Sequence, residues 1–188
     1  MAFEVAQRLH TPLDVLVARK LGVPGHEEFA LGAIAGSVRI LNQNTLRGLG
    51  ITSSTLADVT ARESAELRRR ESIYRGHCPA PSLTGKIAII IDDGIATGAT
   101  LRAAAHAVRS QHPARMVIAA PVAPLGFEAE FAGEADELIV LLTPEDFHAV
   151  GQWYTDFSEV SDAEVIRLLD RAGELAKVPP TKIHGPNG

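Results

Sequence analysis

The sequence predicts an α/β protein built on a parallel sheet, and three observations carry that expectation. Apolar runs of strand length alternate with segments of helical spacing along most of the chain. The run Ile87-Ala88-Ile89-Ile90-Ile91 is apolar at every position, as a strand covered on both faces requires. It ends in Asp92-Asp93 and a loop of small residues that leads into a helix, which is where open α/β sheets hold ligands.

Each element follows in order. Glu4 to His10 reads as the tail of a helix, and Asp14 to Arg19 as a short buried strand. Lys20 to Glu28 reads as a Gly/Pro-punctuated loop, followed by one or two short strands over Ala30 to Leu41. Ser54 to Tyr74 is helical in pattern: Thr55-x-x-Asp58 suits a capping box, and Arg62/Glu66 and Glu66/Arg70 lie one turn apart. Pro79 and Pro81 end it. Past the isoleucine strand, Leu101, Ala104, Ala105 and Val108 recur at helical spacing. Arg115 to Val122 is a second buried strand, Phe127 to Phe131 a short helix, and Glu137 to Leu142 a third strand. Ser161-Asp162-Ala163-Glu164 is a capping box opening a helix with Val165, Leu168, Leu169 and Ala172 on one face. The reading is one domain over residues 1–178 and a flexible Pro/Gly-rich tail over 179–188.

Composition narrows the function classes. The 188 residues suffice for one domain with a real core, and 46% of them are hydrophobic, so the body is not disordered. A net charge of -5 argues against a protein that coats nucleic acid. Cys78 is the single cysteine, which excludes a disulfide framework and a Cys-based zinc site. No apolar stretch reaches spanning length, and Met1-Ala2-Phe3-Glu4 lacks a signal-peptide pattern, so the expectation is a cytoplasmic protein without a membrane or nucleic-acid partner.

The chemistry concentrates at the end of the isoleucine strand. Small residues at Ala96, Gly98 and Ala99 let backbone N–H groups approach a ligand, Thr97 and Thr100 add hydroxyls, and the following helix dipole favours an anion. The loop suits a phosphate, while Asp92 and Asp93 just before it would repel one. A ligand with a phosphate at one end and hydroxyls a few ångströms away, such as a ribose 5-phosphate, resolves the conflict. A P-loop needs a lysine where Ala99 stands, and the dinucleotide fingerprint needs three glycines where this loop has Gly94 and Gly98.

The segment Ile91-Asp92-Asp93-Gly94-Ile95-Ala96-Thr97-Gly98-Ala99-Thr100 resembles the phosphoribosyl pyrophosphate (PRPP) motif of type I phosphoribosyltransferases. Leu13 to Ile34 and Thr143 to Tyr154 are similar to a bacterial group of uncharacterised proteins with that domain. The resemblance implies a parallel sheet flanked by helices with a small hood, and transfer of phosphoribosyl from PRPP to an unidentified acceptor with release of pyrophosphate. It implies that Asp92 and Asp93 hydrogen-bond the ribose hydroxyls and stabilise an oxocarbenium-like centre. Ala96, Thr97, Gly98, Ala99 and Thr100 would take the 5′-phosphate, and Arg19 and Lys20 the pyrophosphate beside a mobile lid. Mg2+ is the implied cofactor, held mostly by substrate and water, with no dedicated protein metal site. A homodimer is compatible with the pattern.

Several residues keep two readings. Arg19-Lys20 also fits a solvated strand end, and Phe147, Trp153, Tyr154 and Phe157 fit either an acceptor-base stack or core packing. His26-Glu27-Glu28 lacks metal-ligand spacing and reads as a charged loop, and Arg68-Arg69-Arg70 as a solvated face. Two departures from the family pattern stand out. Ala96 occupies the place of an aspartate in purine-salvage members, which speaks against ordinary purine salvage. The upstream strand and Pro-Arg-Gly-Gly-type loop of relatives are missing before Met1-Ala2-Phe3, so the domain reads as N-terminally incomplete. A non-catalytic PRPP-binding regulatory module and an inactive fragment therefore stand beside the enzyme reading.

Overall fold

The computed structural model describes residues 1–76 and 80–175. Cys78, Pro79 and the tail 179–188 lie outside the described residues. The chain opens with helix α1 (Ala2–Leu9), which buries Phe3 and Ala6. Strands β1 (Ala18–Val23), β2 (His26–Ala35) and β3 (Val38–Leu41) form an antiparallel sheet in that order. Helices α2 (Gln43–Gly48) and α3 (Ser53–Arg75) follow, then β4 (Ile87–Ile91), α4 (Ala99–Arg109), β5 (Arg115–Val122), α5 (Phe127–Glu130) and β6 (Glu137–Leu142). A 3-10 turn (Val150–Trp153) and α6 (Asp162–Leu175) complete the described chain. Strands β4, β5 and β6 form a parallel sheet with β5 central, as the α/β reading requires.

The layers stack around α4, whose alanine-rich sequence faces apolar surface on two sides. Leu101, Ala105 and Val108 pack on the parallel sheet against Ala88, Met116, Ile118 and Ala120. On the opposite side Ala103 and Ala107 meet Ala33 and Ala35 of β2. Methyl-sized side chains allow that close approach of helix and sheet. Beyond the antiparallel sheet, Val59 and Leu67 of α3 pack on Val17, Leu21, Leu31 and Ile34.

The structure corrects several local expectations. Lys20 to Glu28 is not a loop: Leu21 and Val23 are 0% and 6% exposed in a β1–β2 hairpin with register Arg19↔Ile34, Lys20↔Ala33 and Val23↔His26. Gly22 marks a shift in that ladder, and Pro24-Gly25 form only its turn. Residues 14–17 are not strand, because no neighbouring strand pairs with them among the described residues. The cap of α3 is Thr52, whose hydroxyl accepts from the Thr55 N–H at 3.1 Å, so Thr55 donates into the cap. At the other end Gly76 closes α3 before either proline. Helix α2, capped by Asn42, has no counterpart in the sequence reading.

A further difference concerns β4, for which the sequence predicts cover on both faces. One face, Ala88 and Ile90, joins the core. The other carries Ile87 and Ile89, and register places Ile139 of β6, opposite Ala119, on the same side of the sheet. Ile87 is 64% and Leu141 75% exposed, so the outer part of this face stands open. The strand's composition reflects capacity for burial on two sides, of which this chain's described residues supply one.

These two environments give opposite responses to mutation. Ile89→Lys on the open face is expected to leave stability within about 0.5 kcal/mol and to reduce self-association in light scattering. Ala103→Leu, in the tight layer between α4 and β2, is expected to cost about 1–3 kcal/mol in denaturant unfolding.

Candidate active site

Strand β4 delivers its carboxylates to a loop stitched onto β5. Asp92 N–H donates to the Ala119 carbonyl at 3.1 Å, and Ile95 N–H to the Val122 carbonyl at 2.9 Å. Ile95 is only 2% exposed and plugs the loop into the core. Between these anchors Asp92 is half-buried and Asp93 exposed. Asp92 Oδ1 accepts the Asp93 N–H at 3.0 Å.

Both carboxyls are pushed above the usual aspartate range. For Asp92 burial is the main cause, and the adjacent Asp93 charge adds to it while the Asp93 N–H opposes it. For Asp93 partial burial raises the value against hydrogen bonds from the Gly94 and Asp93 N–H groups. A carboxylate pair held without a cationic partner among the described residues is poorly suited to stability. It is well suited to receiving hydroxyl donors or a developing positive charge.

The anion side of the loop is built by α4. Gly98 is its N-cap with φ 66°, and no side chain caps the helix or places a negative charge in its first turn. The first-turn N–H groups around Ala99 and Thr100 thus face the loop without intrahelical acceptors. Ala96 and Thr97 are exposed, and Thr100 half-buried. Behind the loop, Arg102 Nη2 donates to the Thr97 carbonyl at 3.1 Å, and its guanidinium lies 5.5 Å from the Phe131 ring centre. Gly98 is required twice: a left-handed φ, and a Cβ there would stand 2.5 Å from Phe131 Cε2.

The segment 143–157 lies over the acidic side. Gln152 ties it together, accepting from the His148 and Ala149 N–H groups and donating to the Asp146 carbonyl. Val150 covers Gly94 so closely that a Cβ on Gly94 would sit 2.5 Å from Val150 Cγ1. Tyr154 donates its hydroxyl to the Asp93 carbonyl at 2.6 Å and packs on Phe157, ring centres 5.1 Å apart. Trp153 and Phe157 are 38% and 48% exposed, so they are not core residues; Phe147 is half-buried.

The two cations expected at the pyrophosphate stand differently from the sequence reading. Both lie within β1 rather than at a strand end. Arg19 Nε and Nη2 donate to Glu63 Oε2 of α3 at 3.0 and 2.7 Å. Burial pushes the Glu63 carboxyl up, but hydrogen bonds from Arg19 and Arg62 outweigh it and hold it below its ordinary value. Lys20 is exposed. The Arg68–Arg70 run is the solvated face expected of it, with Arg69 and Arg70 paired to Glu66. The sequence reading missed Arg102, although its place one turn after Gly98 is a usable signal. It also missed the Tyr154–Asp93 bond, which spans 61 residues and has no local signature.

This geometry sets the response of the loop to pH and to added bulk. Because the Asp92 pKa is raised on folding, the folded state binds that proton more tightly, and ionisation opposes folding above the raised value. Asp92→Asn is therefore expected to raise the melting temperature at pH 7, with the gain vanishing as pH falls below 3.8. Gly94→Ala is expected to lower stability by about 1–3 kcal/mol through its clash with Val150, and Val150→Ala to relieve that loss in a double-mutant cycle.

Comparison with known proteins identifies the family. A match to the phosphoribosyl transferase domain family covers residues 1–130. Two Mycobacterium tuberculosis proteins, from strains CDC 1551 and H37Rv, carry provisional phosphoribosyl transferase names. Each is 47% identical over 173 residues, which make up 92% of this chain and 39% of theirs. The chain thus spans about two fifths of the length of these curated relatives. The crystal structure of TT1426 from Thermus thermophilus superposes with a TM-score of 0.71 at 41% identity, covering 89% of this chain and 79% of that one. With a family match over most of its length and relatives at this level of identity, the chain belongs to the phosphoribosyl transferase domain family.

Proposed function

We propose that this chain binds PRPP and transfers its phosphoribosyl group to an acceptor nucleophile, releasing pyrophosphate. The single observation that carries the reading is the juxtaposition of two acidic side chains, neither paired to a cation among the described residues, with a helix N-terminus lacking a side-chain cap across one short loop. In that reading Asp92 and Asp93 accept hydrogen bonds from the ribose 2′ and 3′ hydroxyls. Ala96, Thr97, Gly98, Ala99 and Thr100 hold the 5′-phosphate through backbone N–H groups and the two hydroxyls. As the C1–pyrophosphate bond breaks and the C1–acceptor bond forms, positive charge on the ring grows beside the carboxylates. That interaction is stronger in the transition state than in the ground state.

Arg19 and Lys20 are the cations assigned to pyrophosphate. Lys20 is exposed for that role, whereas Arg19 would have to exchange Glu63 for the ligand. Mg2+ would be held mostly by substrate oxygens and water on the acidic side of the loop, and would neutralise charge on the leaving pyrophosphate. The acceptor would enter beside Trp153 and Phe157, whose exposed rings suit a planar heterocycle. No described helix is long and apolar enough to cross a membrane.

The ion pair that occupies Arg19 favours a second reading, a PRPP-binding regulatory module without turnover, and Ala96 in place of a carboxylate is compatible with it. Titration calorimetry with Mg2+ and PRPP tests both. Saturable binding is expected for the wild type, with Asp92→Asn and Asp93→Asn each weakening it by about tenfold to a hundredfold. Absence of binding by the folded protein would sink both readings, and pyrophosphate release with candidate acceptors separates the enzyme from the module.

A further inference from the structure

Gly94 gives the acidic loop a hinge next to the exposed carboxylate, and glycine resists φ/ψ rotation less than any other residue. What restrains it comes from a segment far along the chain: Val150 against its Cα and the Tyr154 hydroxyl on the preceding carbonyl. The Asp93–Gly94 peptide is a rigid plane, so its carbonyl and its N–H turn together. Tyr154 holds that carbonyl at 2.6 Å, and on the other side of the residue the Asp93 N–H donates to Asp92 Oδ1 at 3.0 Å. Asp93 is thus tied through its backbone at both ends, and whatever fixes its carbonyl fixes the backbone from which the carboxylate projects.

We propose that Tyr154 is a positioning residue for the acidic loop: its hydroxyl locks the Asp93–Gly94 peptide and through it aims the Asp93 carboxylate at the ribose hydroxyls. This rests on the reading of Asp93 as a ribose ligand. The hydroxyl donates to the Asp93 carbonyl at 2.6 Å and so acts on the backbone of that residue directly. The ring is supported independently by Phe157. Packing and hydrogen bonding can thus be removed one at a time. The same segment carries Trp153 and Phe157, so whatever settles against those rings also bears on the carboxylate through Tyr154.

Tyr154→Phe removes the hydroxyl and keeps the ring, and Tyr154→Leu removes both. Amide exchange at Asp93 and Gly94, read by NMR, needs no ligand. Affinities for ribose 5-phosphate and for inorganic phosphate separate the sugar side of the site from the phosphate cradle. For Tyr154→Phe we expect faster exchange at these two amides and an unchanged melting temperature. We also expect about fivefold weaker ribose 5-phosphate binding and unchanged inorganic phosphate binding. Tyr154→Leu is expected to reproduce the ligand effect and to melt lower. Unchanged exchange in Tyr154→Phe overturns the proposal. So does equal weakening of both ligands, or an effect on ribose 5-phosphate in Tyr154→Leu alone. If wild-type protein binds neither ribose 5-phosphate nor PRPP with Mg2+, the PRPP reading fails, while the exchange measurement still decides whether the latch exists.

Discussion

The fold depends on α4 being accepted between two sheets. Its apolar residues divide into a large set, Leu101 and Val108 with Ala105, facing the parallel sheet, and a small set, Ala103 and Ala107, facing β2. A helix apolar on one stripe could cover one sheet only. Because α4 joins both, it fixes the antiparallel sheet and α3 on one side and the parallel sheet on the other. Its N-terminus then stands at the carboxyl end of β4, across a short loop from Asp92 and Asp93.

Electrostatically the site works against the fold. Asp92 is half-buried beside a like charge, and among the described residues no guanidinium or ammonium neutralises it in the way Arg19 neutralises Glu63. Elsewhere the chain pairs its carboxylates freely: Glu66 with Arg69 and Arg70, Glu164 with Arg167, and Asp14 with Arg75. An acidic pair left without a cation in a protein that otherwise supplies them marks a place where ligand binding outweighs stability. The PRPP reading explains why both halves of the loop are kept together, an acidic half and an anion-binding half. Ribose hydroxyls and a 5′-phosphate require both at a fixed separation.

At the apolar side chains Ile87, Ile89, Ile139 and Leu141, sequence and structure describe different surroundings. A strand apolar at every position is the signature of two-sided cover, yet Ile87 and Ile89 stand exposed while Ala88 and Ile90 join the core. Periodicity reports the environment a strand is able to occupy. Whether that environment is filled depends on which elements reach it, and among the described residues none does.

Local chemistry alone dictates much of this protein. Isoleucine runs make β4, alanine spacing makes α4, Ser161 receives the Glu164 N–H at the start of α6, and Asp92 to Thr100 bring their donors and acceptors together because they are contiguous. These features rest on interactions within a few residues. The β1–β2 hairpin, which the sequence reading took for a loop, owes its form to partners in another strand, since Gly22, Pro24 and Gly25 look alike in a loop and in a bulged hairpin. Tertiary contact likewise decides that Glu63 engages Arg19, 44 residues away, and that Tyr154 holds Asp93. Such contacts join residues whose own neighbours carry no trace of the partner, because loop closure and packing, rather than local conformational preference, bring them together.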